Sequence, residues 1–124
     1  MSYAKSSEGK RREIEELARG WGELLASEVY PQGAGLDVSL ADMEEMVACA
    51  TKAIVSGAIE KMTDDQAQTL DQQQSCPACG KMCQVQRKSR RVAVRGGSAE
   101  LDEPVAHCST CRRDFFPSAP GFAD

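Results

Sequence analysis

The sequence predicts a small α+β, metal-bound protein in which an N-terminal helical hairpin is followed by a β-rich zinc ribbon. Two Cys-x-x-Cys motifs lie in the last 49 residues, at 76–79 and 108–111. Apolar residues before position 62 recur at the three- and four-residue spacing of helices, whereas those between the two motifs alternate as in strands. With 124 residues and only 5% aromatics, the chain is expected to have a modest apolar core.

Three regions follow from these patterns. Residues 1–9 are polar and small and are expected to form a disordered tail; residues 10–70 form the helical hairpin; residues 71–124 form the zinc ribbon with a C-terminal extension. Charge divides in the same way. Residues 1–74 hold seven Lys/Arg against fourteen Asp/Glu, and residues 75–124 hold eight against five. This asymmetry indicates two regions with different partners.

The first helix is predicted from about residue 10 to 28, and a Pro- and Gly-rich cluster at 31–35 ends it. The second is predicted from about 40 to 62. Ser39 and Asp42 match a capping box at its start. The apolar stripe of the first helix is expected to be a packing face that contacts the ribbon or a partner. It consists of Ile14, Leu17, Trp21 and Leu24.

The cysteine motifs predict a Zn²⁺ site, because two pairs of thiolates brought together by folding can occupy the four corners of a tetrahedron. Two alternatives are disulfides and a rubredoxin-like iron site; the second motif lacks the Pro and Gly typical of the latter. Cys49 and Cys83 are expected to pack as small apolar residues, and His107 to lie beside the site or at the surface. The predicted zinc ligands are Cys76, Cys79, Cys108 and Cys111.

Between the motifs, Gly96-Gly97 predicts the turn of a β-hairpin. That turn would place Arg95 opposite Ser98 and Arg91 opposite Asp102, with the valines and Leu101 on the other face. We expect Pro104 to bend or end the second strand.

The first strand of this hairpin is basic and can contact the phosphates of a nucleic acid. The alternative is a solvated strand whose charges are offset by the acids at 100, 102 and 103 across the hairpin. The predicted phosphate-contacting residues are Arg87, Lys88, Arg90, Arg91 and Arg95.

Several function classes are disfavoured. No apolar run approaches the roughly 20 residues that a membrane span needs. The start of the chain lacks the apolar segment of a signal peptide, so a cytoplasmic, reducing location is expected, where paired Cys-x-x-Cys motifs bind metal rather than form disulfides. With a single histidine and no phosphate-binding loop, the chain is expected not to be an enzyme.

The order CPACG, basic strand, Gly turn, acidic-apolar strand and HCSTCRRDFFP resembles the N-terminal zinc-ribbon region of bacterial DDE transposases of the ISKra insertion-sequence group. The resemblance is most specific over residues 76–117. It implies a DNA-related role and carries over the four cysteines of the two motifs as metal ligands. The large catalytic domain of such transposases has no counterpart in these 124 residues, so strand-transfer activity is not implied.

The sequence thus predicts a non-catalytic, transposase-like zinc module that binds nucleic acid or has a regulatory role. The alternative is a zinc-stapled protein–protein adaptor that dimerises or docks a partner through its acidic helices. The partners considered are DNA, a second copy of the chain and a larger protein, and no membrane.

Overall fold

The computed structural model of the chain describes residues 8–117 and residue 121. Two helices are followed by one antiparallel sheet with strand order β1-β2-β3-β4, so the prediction of a small α+β fold with helices before strands is confirmed. The elements are α1 (Glu8–Val29), α2 (Leu40–Gln68), β1 (Gln73–Ser75), β2 (Met82–Val94), β3 (Gly97–Cys108) and β4 (Arg113–Phe115).

The predicted N-terminal tail and C-terminal extension lie partly outside the described residues. Of the predicted disordered tail, residues 1–7 lie outside the described residues, while residues 8 and 9 belong to α1. Of the C-terminal extension, residues 118–120 and 122–124 lie outside them. None of the described helices is both long and apolar enough to cross a membrane.

The contacts divide the chain within α2 into two compact units, 1–43 and 44–124. In the first unit, α1 has no buried residue. The start of α2 has the expected capping box: the Ser39 N–H donates to Asp42 Oδ2 at 3.1 Å, and the Asp42 N–H donates to Ser39 Oγ at 3.1 Å. This reciprocal pair satisfies two N–H groups that the first helical turn leaves without backbone partners.

In the second unit, α2 covers the outer edge of β3. The Ser56 hydroxyl donates to the Ser98 carbonyl at 2.6 Å, and Glu60 Oε2 accepts the Glu100 N–H at 2.8 Å. The two spacings match, because four helical residues rise about 6 Å and two strand residues about 6.7 Å. The helix therefore satisfies backbone groups that an edge strand otherwise leaves open.

Arg87 of β2 continues this protection of the β3 edge. Its Nε donates to the Asp102 carbonyl at 2.7 Å, and its guanidinium also pairs with the Asp64 carboxylate. Asp64 lies four residues beyond Glu60 on α2, and Asp102 lies two residues beyond Glu100 on β3. One repeated spacing therefore ties the helix to the strand at three successive levels.

The register of the central hairpin differs from the predicted one by two residues. Val94 lies opposite Gly97 and Arg91 opposite Glu100, so Arg95 and Gly96 form the turn instead of the two glycines. Gly96 has φ of 87°, as required at the third position of a type II turn. Because the difference is even, every side chain stays on its predicted face and only its partner changes.

Pro104 does not end the second strand as predicted, since β3 continues to Cys108. Alternate residues of β3 direct their backbone groups away from β2. Ser98 and Glu100 belong to this outward set, because α2 reaches their backbone groups, and Pro104 shares their parity. The N–H that proline lacks would therefore point to the outer edge, so no bond to β2 is lost.

Two apolar clusters lie on opposite faces of this hairpin. The first, here called the helix-side core, centres on Ala67, Ala99 and Leu101, with Ile59 and Val92 among the residues packed against it. The second, the cysteine-side core, contains Cys76, Cys83, Ala106 and Cys108. The register is continuous from 85 to 94, so Leu101 and Ala106, an odd number of residues apart, point to opposite faces.

Replacing Ser56 with alanine should lower the free energy of unfolding by about 1 kcal/mol, because the Ser98 carbonyl loses its protein partner. Urea denaturation followed by circular dichroism measures this. Thr51→Ala is the matched control, since among the described residues the Thr51 hydroxyl bonds to the Val47 carbonyl of its own helix and not to the sheet. Equal stability of the two variants would show that the helix–edge bond contributes nothing.

Candidate metal centre

The β2–β3 hairpin brings the two cysteine motifs to one end of the sheet. The first motif lies in the connection between β1 and β2, and the second between β3 and β4. Both connections are at the end of the hairpin opposite the Arg95-Gly96 turn, because the strands are antiparallel. The cysteines are thus adjacent although up to 35 positions separate them in sequence.

The four sulfur atoms form a compact group. The sulfur atom of each predicted ligand lies within 4.8 Å of the sulfur atoms of the other three. The Cys76–Cys111 separation is 3.8 Å and the Cys79–Cys108 separation is 3.6 Å. A tetrahedron with metal–sulfur bonds of about 2.3 Å has edges of about 3.8 Å, whereas bonded sulfurs lie about 2.0 Å apart. The cysteines are free, and they lie close enough to bind a metal ion.

The two motifs have the same local backbone. The Gly80 N–H donates to the Cys76 carbonyl at 2.8 Å, and the Arg112 N–H donates to the Cys108 carbonyl at 2.7 Å. The donor residue has positive φ in both cases, 78° at Gly80 and 57° at Arg112. Each motif is therefore a tight turn, and the second forms it without the glycine that this conformation favours.

Backbone N–H groups and neighbouring sulfurs shift the thiol pKa values in both directions. The Cys111 N–H donates to Cys108 Sγ at 3.4 Å, and this bond above all lowers the pKa of Cys108 to about 6. The N–H groups of Cys79 and Ala78 likewise lower the pKa of Cys76. Hydrogen bonds with Cys79 and Cys76, together with burial, raise the pKa of Cys111 to about 12.

These opposite shifts show how negative charge is distributed among the four sulfurs. A thiolate at Cys108 is stabilised by amide donors, whereas hydrogen bonds with Cys79 and Cys76 and burial favour the neutral thiol at Cys111, and repulsion from a charged Cys108 adds to this. A bound cation removes that repulsion and lets all four sulfurs ionise together. The electrostatics therefore fit a cation held by thiolates.

The remaining cysteines and the histidine are not part of this group. Cys83 is buried in the cysteine-side core, as predicted, and its thiol donates to the Lys81 carbonyl at 3.3 Å. Burial raises the pKa of Cys83, which favours the neutral thiol. His107 is exposed and contacts Asp114 at 2.8 Å across β3 and β4. Cys49 is exposed on α2, so its predicted burial is wrong.

Of the two adjacent aromatic residues that follow the second cysteine motif, one reaches the cysteine cluster. Phe115 packs against the cysteine-side core, whereas Phe116 is 64% exposed. Consecutive residues of an extended chain point to opposite sides, so only one of the pair can reach the cluster.

The five predicted phosphate-contacting residues do not form one free basic surface. Arg87 pairs with Asp64 and lies 3.9 Å from Asp102. Arg90 pairs with Glu103 at 3.1 Å and Arg91 with Glu100 at 3.5 Å. Within the described part of the chain, the two without an acidic partner are Lys88 and Arg95.

The pairing partners show what the sequence pattern captured and what it missed. The alternative that the sequence offers, in which the acids opposite the basic strand offset its charges, includes Glu100 and Glu103 but gives no indication of Asp64. It belongs to α2, and no sequence spacing relates a helix residue to a strand 23 positions later. The predicted interaction residues of α1 remain exposed, by 45% at Ile14 to 58% at Leu24.

Replacing Arg112 with glycine should raise the free energy of unfolding by about 1 kcal/mol, because a residue with a side chain pays that cost at positive φ. Gly80→Ala should lower it by a similar amount, since space around Gly80 is open and only the backbone is strained. Guanidinium denaturation of the metal-loaded protein measures both. A loss of stability in Arg112→Gly, or no loss in Gly80→Ala, would contradict the equivalence of the two turns.

No protein-family model, curated protein or solved structure matches this chain. The resemblance of residues 76–117 to a transposase region thus rests on the sequence motif.

Proposed function

We propose that the chain is a non-catalytic protein–protein adaptor, located in the cytoplasm, whose sheet is held together by one structural Zn²⁺ ion. The observation that carries this proposal is the closed set of four thiols at tetrahedral spacing. Four protein sulfurs leave no coordination position for water or substrate, and this is the arrangement of structural rather than catalytic zinc sites.

Zinc is the preferred ion because thiolates are soft ligands and a four-sulfur tetrahedral set suits zinc or iron. In both Cys-x-x-Cys motifs, backbone N–H groups point at a cysteine sulfur. These N–H groups stabilise the thiolate form that metal binding requires. The described apolar clusters are small, so metal binding is expected to supply much of the stability of the cysteine end.

The adaptor surface is the stripe of α1. Ile14, Leu17, Trp21 and Leu24 follow one another at spacings of three, four and three residues, which is the heptad pattern of coiled coils. All four are about half exposed. A helix that places Ile and Trp at one heptad position and Leu at the other is suited to pack against a second apolar helix. The occupant proposed here is α1 of a second copy.

Nucleic-acid binding is the second candidate function. Lys88 and Arg95 lack an acidic partner among the described residues, and Arg112 and Arg113 are exposed beside the cysteine cluster. Together with the transposase-like motif order, these charges favour contact with phosphates. The ion pairs of Arg87, Arg90 and Arg91 reduce the charge available for it, and for this reason the adaptor is preferred.

Purified protein should contain one zinc ion per chain, measured by elemental analysis in reducing buffer. Cys108→Ser should reduce this to well under half an equivalent and unfold the cysteine end, because the closed ligand set is broken. Cys83→Ser is the matched control and should keep one equivalent, since Cys83 lies outside the set. Iron in place of zinc would support the redox alternative, and absence of any metal would refute the site.

The protein should be a dimer at micromolar concentration by light scattering, and Leu17→Glu should make it a monomer, because the new charges would face each other in the apolar interface. Arg19→Glu places the same carboxylate on the opposite side of α1 and should leave the dimer intact. A monomeric wild-type protein at high micromolar concentration would rule out self-association.

The nucleic-acid candidate predicts that duplex DNA binds with an affinity that falls steeply as salt rises, because neutralised phosphates release counterions. Changing Lys88 and Arg95 together to Glu should abolish this binding with the zinc content unchanged. Fluorescence anisotropy at about 50 mM and 200 mM salt measures both effects. The same affinity for wild type and double variant would exclude this surface.

A further inference from the structure

The outer edge of β2 is open where the outer edge of β3 is covered. Residues of an antiparallel pair alternate between bonding to the neighbouring strand and directing their backbone groups outward. Ser98 and Glu100 direct theirs outward to α2, so their register partners Ala93 and Arg91 direct theirs outward on the other side of the hairpin. Ser89 and Arg87 continue this set along β2.

Pairing with β1 covers only the beginning of that edge. β1 pairs with residues 82–84, and the last backbone bond on this side is from the Val85 N–H to the Gln72 carbonyl at 2.8 Å. From residue 87 to 93, no strand pairs with the outer edge of β2 in the described part of the chain. We call the outward N–H and C=O groups of Arg87, Ser89, Arg91 and Ala93 the free edge.

The free edge has a defined chemistry on each face of the sheet. On one face, Arg91 has 68% of its side chain exposed, pairs with Glu100 at 3.5 Å and donates to Ser98 Oγ at 3.2 Å. On the other face, Val92 and Val94 are half-buried beside the helix-side core, and Lys88 has no acidic partner among the described residues. β2 itself contains no acidic residue between 82 and 94.

We propose that the free edge of β2 binds an extended acidic peptide segment of a partner protein as an added β-strand. The backbone of the segment would bond to the free edge, its acidic side chains would lie on the face that carries Arg91, and its alternate apolar side chains would extend the helix-side core past Val92 and Val94. Main-chain bonds then provide affinity and the alternating side chains provide specificity.

Two other occupants fit less well. A second copy of β2 would set rows of Lys and Arg opposite one another at about 4.8 Å, and like charges directly opposite destabilise a strand pair. A nucleic acid would meet outward carbonyl oxygens, which repel phosphates, and the guanidinium of Arg87 is already bonded to Asp64 and Asp102. Both occupants remain as outcomes of the test.

This surface is separate from the stripe of α1, although the inference rests on the proposed adaptor function. A Leu17→Glu variant that loses the dimer should bind the peptide as wild type does. Failure of self-association is therefore distinguishable from failure of strand addition.

The probe is a fluorescent seven-residue peptide of alternating Val and Glu, with Val at both ends. In an antiparallel alignment with 88–94, its three Glu residues lie opposite Ser89, Arg91 and Ala93 and exchange hydrogen bonds with them. The first control carries Lys in place of Glu. The second is N-methylated at the three Glu nitrogens, which removes the donors and keeps the charge. Anisotropy titration of the zinc-loaded full chain should show at least tenfold weaker binding of both controls.

Ala93→Pro should weaken binding of the Val-Glu peptide at least tenfold, because the outward N–H is lost and the ring blocks the approaching strand. No bond to β3 is lost, because the N–H of Ala93 points away from β3, just as the position of the missing N–H of Pro104 points away from β2. Ala93→Ser keeps the N–H and should bind as wild type. Ser89→Pro tests the same edge at a second position, and zinc content together with circular dichroism verifies the fold of each variant.

Four results would overturn the proposal. Equal binding of the N-methylated peptide would mean that charge alone attracts it, and no binding up to about 1 mM would mean that the edge has no such ligand. A wild-type dimer that Ala93→Pro dissociates would assign the edge to a second copy. Binding of duplex DNA that Ala93→Pro weakens tenfold, without binding of the peptide, would assign it to nucleic acid.

Discussion

The register of the β2–β3 hairpin is the constraint on which the rest of the structure depends. It places the connection from β1 and the connection to β4 at one end of the sheet, and so brings four cysteines from two distant motifs within 4.8 Å. It also determines which backbone groups point outward on each side. A shift of one strand by one residue would exchange the two faces of that strand relative to its partner and would disperse the cysteine-side core and the helix-side core together.

The two outer edges of this hairpin differ in how their backbone N–H and C=O groups are satisfied. An exposed strand edge carries unpaired backbone groups that attract other strands. On β3 the problem is solved by α2, because the rise of one helical turn matches two strand residues and lets Ser56 and Glu60 reach successive backbone groups. On β2 only the first residues pair with another strand in the described part of the chain, and the remaining edge carries basic side chains.

The cysteine cluster and the helix stabilise different ends of one long hairpin. Near the turn, Val55 of α2 lies against Gly96 and Gly97, and apolar burial holds the strands. At the far end the buried side chains are mainly cysteines, which bury little apolar area, so a bound ion would be the main source of stability there. The opposed pKa shifts of Cys108 and Cys111 agree with this, because hydrogen bonds and repulsion among adjacent sulfurs oppose their joint ionisation and a bound cation would favour it.

The sequence by itself determined the features that depend on short-range spacing. These include the capping box of Ser39 and Asp42, the helices before the strands, the face on which each hairpin side chain lies and the four clustered cysteines. Only the tertiary structure decided the Arg95-Gly96 turn, the pairing of Arg87 with Asp64, the exposure of Cys49 and the unbroken strand at Pro104. Each of these depends on which backbone groups meet a distant element, and local periodicity carries no information about contacts between residues far apart in the chain.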